Sequence, residues 1–346
     1  MAKPIAKILI DNSDVAECAM ENIIEVVVEE QINLPTMFYF LISIVDEKNG
    51  PWQNVDLSKF TPGKAVTISM GLDQEQELFK GEITAVDISF SSIPHIEVRG
   101  FDRLHRLQFG RKNRSFVEQK DSQIVSTIAS EDGLSATADT TTAVYPCLFQ
   151  FNQTNYHFLL ERARRIGFEL MADDKKLLFR KSQEDKSPQS GFSFHFGKDI
   201  FDFNVRLRTV RQGGEVEARG WDMKQKTEIV GSGGAGDEIS KMGGSQTGHA
   251  FSSAAFTASQ NTIINENFID KSDADTRAAA FYNETLQNFI TGEGTYSGGE
   301  QIRMGTTIEV TNIGDKFSGN YYVTSTTHIL NKREYTTKFK VRKTGI

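Results

Sequence analysis

Short runs of β-branched and aromatic residues, each closed by a turn-forming sequence, constrain the first 105 residues more than any other feature. Breakers such as Asn33-Leu34-Pro35 and Thr61-Pro62-Gly63 separate them. The runs are Ala6–Asp11, Asn22–Gln31, Met37–Asp46, Ala65–Met70, Glu77–Ser89 and Ile93–Asp102. Runs of this length and composition are typical of strands, so we predict a small β-barrel or sandwich over residues 1–105.

The pattern changes to two helices and a hairpin after residue 105. We predict that Asp121 caps a helix ended by Gly133, and that Asn155 caps a second helix ended by Gly167. Residues 106–190 are therefore predicted to form a separate α/β unit. The predicted hairpin strands are Phe168–Ala172 and Lys176–Arg180, on either side of Asp173-Asp174.

Strand-like runs return after Gly191. The Gly/Ser-rich stretch Gly231–Gly248 interrupts them and is expected to be flexible and to lie on the surface. Ser272 and Asp275 form a capping-box pattern, which predicts a helix that ends before Gly292. The strand-like runs are Phe192–Phe196, Phe201–Val210, Glu215–Asp222, Thr227–Val230, Thr306–Thr311, Asn320–Leu330 and Tyr335–Arg342.

Two pairs of segments indicate a faint internal repeat. Ile96–Asp102 reads IEVRGFD and Val216–Asp222 reads VEARGWD, and each ends a predicted hairpin. The sequence FKG followed by IT at residues 79–84 also resembles FSG followed by VT at residues 317–324. Either strand ends converge on similar chemistry, or the chain holds two copies of one barrel. Both Gly100 and Gly220 are expected to need either a positive φ or close packing.

Composition and motifs argue against several classes of function. The net charge of −7 does not suit a nucleic-acid-binding protein. The longest apolar run, Met37–Val45, is too short to span a bilayer, so no transmembrane segment is predicted. Cys18 and Cys147 match no metal-binding spacing, and no HExxH, GxSxG, phosphate-loop or EF-hand pattern occurs. We therefore predict no catalytic residues, no metal and no cofactor.

Charge is unevenly distributed along the chain. Arg99–Lys120 holds seven basic and two acidic residues, and residues 301–346 hold eight basic and three acidic residues. Residues 1–60 hold ten acidic and four basic residues. Complementary faces between subunits explain this segregation better than a nucleic-acid surface, because no aromatic-interleaved recognition motif accompanies it.

The segment Arg99–Phe116, RGFDRLHRLQFGRKNRSF, closely resembles the late-control protein D family of contractile phage tails and the VgrG-like proteins of contractile injection systems. That family's pattern runs G-[FY]-D-R-L-H-R-L, and Gly100–Leu107 stand at those positions. A second block, Gln150–Leu159, resembles the family pattern Q-[FY]-x-[EQ]-[ST]-[DN]-x-x-F-L. In overall layout the resemblance covers essentially the whole chain.

The resemblance implies a mainly β fold with α/β insertions (α+β). Two related β-barrel hub domains would accompany a smaller α/β domain and a helical insertion. The implied domains are a first barrel at 1–105, the α/β domain at 106–190, a discontinuous second barrel at 191–232 and 295–346, and a Gly/Ser-rich linker with a helix at 233–294.

The resemblance also implies a structural baseplate hub, a homotrimer that adapts a sixfold tube to a threefold spike. Its partners would be the hexameric tube protein, a spike protein or C-terminal spike domain, and baseplate wedge proteins. It would be made and assembled in the bacterial cytoplasm and become part of a virion tail or injection particle. The motif and assembly candidates are Arg99, Gly100, Phe101, Asp102, Arg103, Arg106, Arg111, Gly220, Trp221 and Asp222.

Two other interpretations stay open. A cell-wall hydrolase at a tail tip, or its carrier, would need an acidic or His/Cys constellation in a cleft. A hub or tail-tip protein of a non-contractile phage would share the architecture. Many relatives continue into an OB-fold and a β-helical spike, whereas this sequence stops at Ile346, so the spike is either a separate polypeptide or part of a longer chain.

The basic segment itself is expected to lie at a domain junction. We predict that Arg103 and Arg106 meet carboxylates from residues 1–60 at a subunit or inter-domain seam. Loss of either arginine would then weaken trimer assembly more than the folding of one subunit.

Overall fold

The computed structural model is built mainly from strands, which confirms the prediction of a mainly β protein. The predicted strand ends at Asp46 and Ile93, together with Cys18, lie outside the described part of the chain. The structure describes residues 3–14, 22–44, 57–91, 94–210, 214–257, 260–264 and 266–346.

The strands of the first half and of the α/β unit follow the predicted order. They are β1 (Pro4–Ile10), β2 (Ser13–Asp14), β3 (Ile23–Gln31), β4 (Met37–Ser43), β5 (Ala65–Leu72), β6 (Gln76–Ser89), β7 (His95–Phe101), β8 (Lys112–Gln119), β9 (Ser135–Ala138), β10 (Tyr145–Gln153), β11 (Phe168–Asp173) and β12 (Lys176–Lys181).

The second half adds nine strands in the described ranges, and four α-helices are spread along those ranges. The strands are β13 (Ser193–His195), β14 (Ile200–Leu207), β15 (Glu215–Asp222), β16 (Thr227–Gly233), β17 (Gln260–Ile263), β18 (Ile290–Ser297), β19 (Thr307–Thr311), β20 (Gly319–Asn331) and β21 (Tyr335–Lys343). The helices are α1 (Asp121–Glu131), α2 (Asn155–Arg165), α3 (Gly248–Ser253) and α4 (Lys271–Leu286), and short 3₁₀ turns cover Leu57–Lys59 and Arg103–Gln108.

Thirteen strands from both halves form one continuous sheet. Its main path runs β14-β18-β21-β20-β3-β4-β7-β6-β5-β1-β2, and β19 and β13 branch from β20. Across the described residues no ladder joins the two ends of this path, so the sheet is open. The predicted closed barrels are therefore not confirmed. The edge of β20 that faces away from β21 pairs with β3, a strand of the other half.

The two halves of the large sheet repeat one order of strands. β3-β4-β7-β6-β5 in the first half corresponds to β14-β18-β21-β20-β19 in the second. The long strand of each half has a register irregularity against its partner, between Ile83 and Ala85 in β6 and between Val323 and Ser325 in β20. The similarity of Ile83-Thr84 to Val323-Thr324 thus marks corresponding positions.

The sequence VEARGWD, Val216–Asp222, was predicted to lie in the second barrel, and this prediction is wrong. Its strand β15 lies at the centre of a separate three-stranded sheet with β16 and β17, not in the large sheet. Helix α4 covers this small sheet. Gly231 and Gly233 are held against it, since a Cβ on them would lie 2.3 Å from Ala274 C and 2.5 Å from Ala278 C. This part of the Gly/Ser-rich stretch is therefore a packed strand and not a flexible linker.

The α/β unit follows the sequence closely. Its apolar residues, between Leu104 and Phe179, form one cluster around α1 and α2. Gly133 (φ +71) and Gly167 (φ +72) have the positive φ expected after a helix. Lys120 and Thr154 occupy the N-cap positions, each one residue before the predicted cap, and the N-cap of α4 is Asp270 instead of Ser272.

Gly100 and Gly220 are not among the glycines with positive φ, so close packing is their constraint. A Cβ on Gly100 would lie 1.9 Å from the Glu82 carbonyl oxygen, whereas a Cβ on Gly220 would first meet Phe268 Cδ2, at 2.8 Å. A backbone atom inside a sheet cannot move aside as a side chain can.

We therefore expect Gly100→Ala to lower the free energy of unfolding by about 2 kcal/mol or more, and Gly220→Ala to cost clearly less. Urea unfolding of both variants measures the difference. Equal losses would contradict the backbone-clash explanation.

Candidate functional site

Four buried carboxylates lie where the two halves of the large sheet meet the α/β unit. No group of three or more His, Cys, Asp or Glu side chains in the described ranges could hold a metal ion. Buried carboxylates instead need cationic or N–H partners, because an unpaired buried charge is very costly. The members of this set, called the carboxylate junction below, are Glu30, Glu82, Asp102 and Glu169.

Two arginines from the basic segment hold Glu82. Its carboxylate accepts hydrogen bonds from Arg103 Nε (3.0 Å) and Arg106 Nε (2.9 Å), both in the 3₁₀ turn after β7. Arg103 also pairs with Asp174 in the β11–β12 turn. Burial alone would raise the pKa of Glu82, but the two guanidinium groups hold it below its usual value. The pair thus ties the first half of the sheet to the α/β unit.

Asp102 begins the same turn as its N-cap. One carboxylate oxygen accepts from the Thr36 N–H and the other from the Leu104 N–H, each at 2.9 Å. Burial raises the pKa of Asp102 to about 7, although these N–H donors favour the charged form. Asp102 therefore fixes the β3–β4 turn against the start of the α/β unit.

Glu30 joins the two halves of the large sheet. It accepts from Arg303 Nε at 2.9 Å, from Thr326 Oγ1 at 2.8 Å and from the Met304 N–H at 3.3 Å. Burial alone would raise the pKa of Glu30, but Arg303 brings it below the usual value. This ion pair lies beside the β3–β20 ladder and adds a side-chain contact between the two halves.

Glu169 joins the α/β unit to the second half. Tyr322 donates its hydroxyl to both carboxylate oxygens, at 2.9 and 2.8 Å, and Arg342 Nη2 lies 3.8 Å away. Arg342 also donates to Glu184, at 3.0 Å. Burial raises the pKa of Glu169 despite these partners. All three units of the chain are thus connected by buried, paired charges.

The other candidate residues have ordinary surroundings. Arg99 is exposed and pairs with Glu97 on its own strand, and Arg111 donates to the Asn152 carbonyl at 3.0 Å. Phe101 ends β7 half-buried.

The VEARGWD residues lie away from the junction. Asp222 accepts from the Lys224 and Gln225 N–H groups in a tight turn, and Trp221 is 57% exposed. The two strand ends thus have in common an aspartate that accepts a hydrogen bond from a backbone N–H two residues later in the chain. This agrees with convergent strand-end chemistry.

The carboxylate partners of Arg103 and Arg106 differ from the expected ones, and their role in a subunit or inter-domain seam stays a prediction. In the described part of the chain their carboxylate partners are Glu82 and Asp174, neither of which belongs to residues 1–60.

We expect Arg103→Ala to lower the free energy of unfolding by about 2 kcal/mol, because the buried Glu82 loses one of two charged donors. Arg111→Ala, at an exposed site, is the matched control. Chemical denaturation measures both variants. A wild-type midpoint for Arg103→Ala would mean that the pair does not hold the seam.

The sequence alone did not identify four residues of these contacts, Glu30, Glu169, Tyr322 and Arg342. One signal was present: Glu30 falls two and four residues from Val28 and Val26, on the inward face of its strand. A charged residue on an inward face requires a buried partner, but the sequence does not identify Arg303 as that partner.

Solved structures with a similar fold include phage tail proteins. The 43 kDa tail protein of prophage MuSo2 from Shewanella oneidensis has a TM-score of 0.71 and 12% identity, with 98% of each chain covered. A tail protein from Neisseria meningitidis MC58 has a TM-score of 0.69 and 10% identity over 99% of this chain and 96% of that one. At such identities the similarity establishes a shared fold.

A third similar structure is the Escherichia coli c3393 protein, described as a component of the type VI secretion system with structural similarity to the T4 bacteriophage tail proteins gp27 and gp5. Its TM-score is 0.59 at 13% identity, over 93% of this chain and 73% of that one. The sequence pattern of the family described as Alg8 N-terminal domain matches residues 3–332. No protein with a curated description matches the chain. Within the described ranges, no helix is both long enough and apolar enough to cross a membrane.

Proposed function

The chain belongs to the Alg8 N-terminal domain family, and we propose that it is a structural baseplate hub of a contractile phage tail or contractile injection system. The names of the proteins that share its fold, two tail proteins and a type VI secretion component, support a structural role at a tail tip. Among tail-tip proteins, the motif at Gly100–Leu107 supports the late-control protein D and VgrG-like group.

The observation that carries the proposal is the repeated strand order of the large sheet. A hub that adapts a sixfold tube to a threefold spike needs six similar surfaces from three chains. Each copy of this chain has two halves with the order β3-β4-β7-β6-β5 and β14-β18-β21-β20-β19. A homotrimer would therefore present six related units to the tube.

The proposed domains follow from this repeat. The first hub unit is residues 1–105, the α/β domain is 106–190, and the second hub unit combines residues 191–214 with 295–346, to which β18 adds residues 290–294. The pairing of β15 with β17 moves residues 215–232 from the second hub unit to the insertion that contains α4. The proposed partners are the hexameric tube protein, a spike protein or C-terminal spike domain, and baseplate wedge proteins.

Two alternatives predict different results. A tail-tip cell-wall hydrolase would clear a peptidoglycan suspension, whereas a hub would not. A hub of a non-contractile phage would bind a tube protein but have no contractile sheath around it in the particle. The carboxylate junction favours the structural role, because its carboxylates are buried and bonded to arginine, hydroxyl and backbone N–H donors of the same chain.

Co-elution of the purified chain with candidate tube and spike proteins tests the proposal. A hub should form one complex that contains both. A chain that elutes alone from mixtures with each of them, or that lyses peptidoglycan, would contradict the proposed function.

A further inference from the structure

Two unpaired strand edges of the large sheet correspond to edges that are paired with each other inside the chain, and neither carries a ladder in the described residues. One is the outer edge of β14, which has a ladder with β18 alone and otherwise makes only an isolated bridge, between Ile200 and Phe196. The other is the edge of Ala85–Ser89 in β6 that faces away from β7, because β5 pairs with β6 only up to Glu82. Unpaired edges can add a strand from another chain unless they are protected.

The corresponding edges of the repeated half are paired with each other inside the chain. β20 is the counterpart of β6, and its residues Ser325–Asn331 pair antiparallel with Glu25–Gln31 of β3. β3 in turn is the counterpart of β14. One copy of the chain therefore contains one joint between a β3-type strand and a β6-type strand, and leaves one strand of each type unpaired.

Irregularities in the ladders fix this correspondence residue by residue. The shift between Ile23 and Glu25 in β3 matches the shift between Ile200 and Asp202 in β14. The loop contacts also match: Gly63 donates its N–H to the Ile83 carbonyl and Gly305 donates to the Val323 carbonyl, both at 2.8 Å. Glu25 thus corresponds to Asp202, and Ala85 corresponds to Ser325.

We infer that β14 of one copy pairs antiparallel with Ala85–Ser89 of a second copy, in the register of the internal β3–β20 joint. The inference rests on the proposed hub function for the number of copies in the ring. The opposed pairs would be Ala85 with Arg208, Val86 with Leu207, Asp87 with Arg206, Ile88 with Val205, and Ser89 with Asn204.

The inward row of this joint is apolar on both sides. Val205 and Leu207 are half-buried, and so are Val86 and Ile88. Their counterparts at the internal joint are fully covered: Val28, Thr326 and His328 are each 0% exposed.

The contrast is larger one position beyond the opposed pairs. Phe90 is 67% exposed, whereas its counterpart Leu330 is 0% exposed. Pairing between copies would cover these apolar residues as the internal joint covers their counterparts.

The outward row is complementary in charge. Arg206 on β14 is exposed, and the Asp87 side chain on β6 is 64% exposed, with Arg99 3.6 Å from it on the same copy. The inferred register places Arg206 opposite Asp87, so that one copy supplies the cation and the next supplies the anion. Opposite charges across a strand pair favour the register, and like charges oppose it.

The contact is head-to-tail, because each copy offers β14 at one place and β6 at another. Such contacts close into a ring when the rotation between copies permits it and otherwise grow into an open chain. A second copy of this chain is therefore the occupant of both edges.

Charge reversal tests the pairing. Asp87→Arg and Arg206→Asp should each raise the concentration at which the oligomer dissociates by about tenfold or more, and the double variant should restore it, because every joint then has the swapped pair. Lys7→Asp on β1, next to the terminal strand β2, is the matched control and should dissociate like the wild type. Mass photometry across a dilution series gives the oligomer fraction, and circular dichroism confirms that the strands remain.

Cysteine trapping tests the register. The variant with both Asp87→Cys and Arg206→Cys should form disulfides between copies under mild oxidation, because opposed strand residues lie within disulfide reach. The control with Asp87→Cys and Asp202→Cys is four residues out of register and should not. A closed ring would run on a non-reducing gel as cross-linked species of up to three chains and no larger ladder.

The outcomes separate the inference from the proposed function. A wild-type oligomer that ignores both charge reversals, or that is disrupted by Lys7→Asp instead, overturns the strand pairing and leaves the hub function standing. A chain that stays monomeric alone and with its tube and spike partners overturns both.

Discussion

Arg303→Met is expected to lower the free energy of unfolding by about 4 kcal/mol, because it leaves Glu30 ionised and buried without its cation. Glu30 is 2% exposed, and Arg303 approaches it through Nε and Nη2 at 2.9 and 2.5 Å. Thr326 and the Met304 N–H would remain as donors, but neither carries a charge. Denaturant unfolding at neutral pH measures the loss.

The matched control is Arg219→Met. Arg219 also pairs with two carboxylates, Glu217 and Glu228, but its side chain is 44% exposed. Surface ion pairs of this kind contribute little to stability, because water screens them. Similar losses in the two variants would mean that the Glu30–Arg303 pair does not join the halves of the sheet.

Acidification should destabilise the chain through His328, by roughly 3 kcal/mol between pH 6.5 and pH 4. Burial lowers the pKa of His328 from 6.5 to about 4, against the nearby charge of Glu30, which raises it. The folded chain thus keeps the imidazole neutral while the unfolded chain protonates it. The stability from this residue is complete above pH 6.5 and is lost as the pH falls towards 4.

Asp102 acts in the opposite direction over the same range. Since its folded-state pKa of about 7 lies above 3.8, its contribution falls as the pH rises through that interval. The measured quantity is therefore the difference between wild type and His328→Asn, which keeps a polar group near Tyr335 and Thr337. The variant should lose about 3 kcal/mol less than the wild type on acidification. Parallel curves for wild type and His328→Asn would contradict the explanation.

The strands, the α/β unit and its helix-ending glycines could be predicted from the sequence, because period-two and period-3.6 patterns are local. The N-caps of α1 and α2 were predicted one residue too late, since Lys120 and Thr154 occupy these positions. Pairing between distant strands has no local signal. β15 reads as a strand wherever it pairs, and only its ladders with β16 and β17 remove it from the large sheet.

The same limit applies to the carboxylate junction. The motif around Arg103 and Arg106 was visible, but their partner Glu82 was not, because 21 and 24 residues separate the members of each pair. Glu30 and Arg303 are 273 residues apart. Their contact exists because β20 crosses to β3, and this crossing is a property of the whole fold.

The copy number of this chain in a complex with tube and spike proteins tests the hub proposal most directly. Native mass spectrometry of the assembled complex gives that number without a structure. A hub requires three copies beside a hexameric tube ring and a threefold spike. One, two or six copies in a stable complex, or no complex at all, would contradict it.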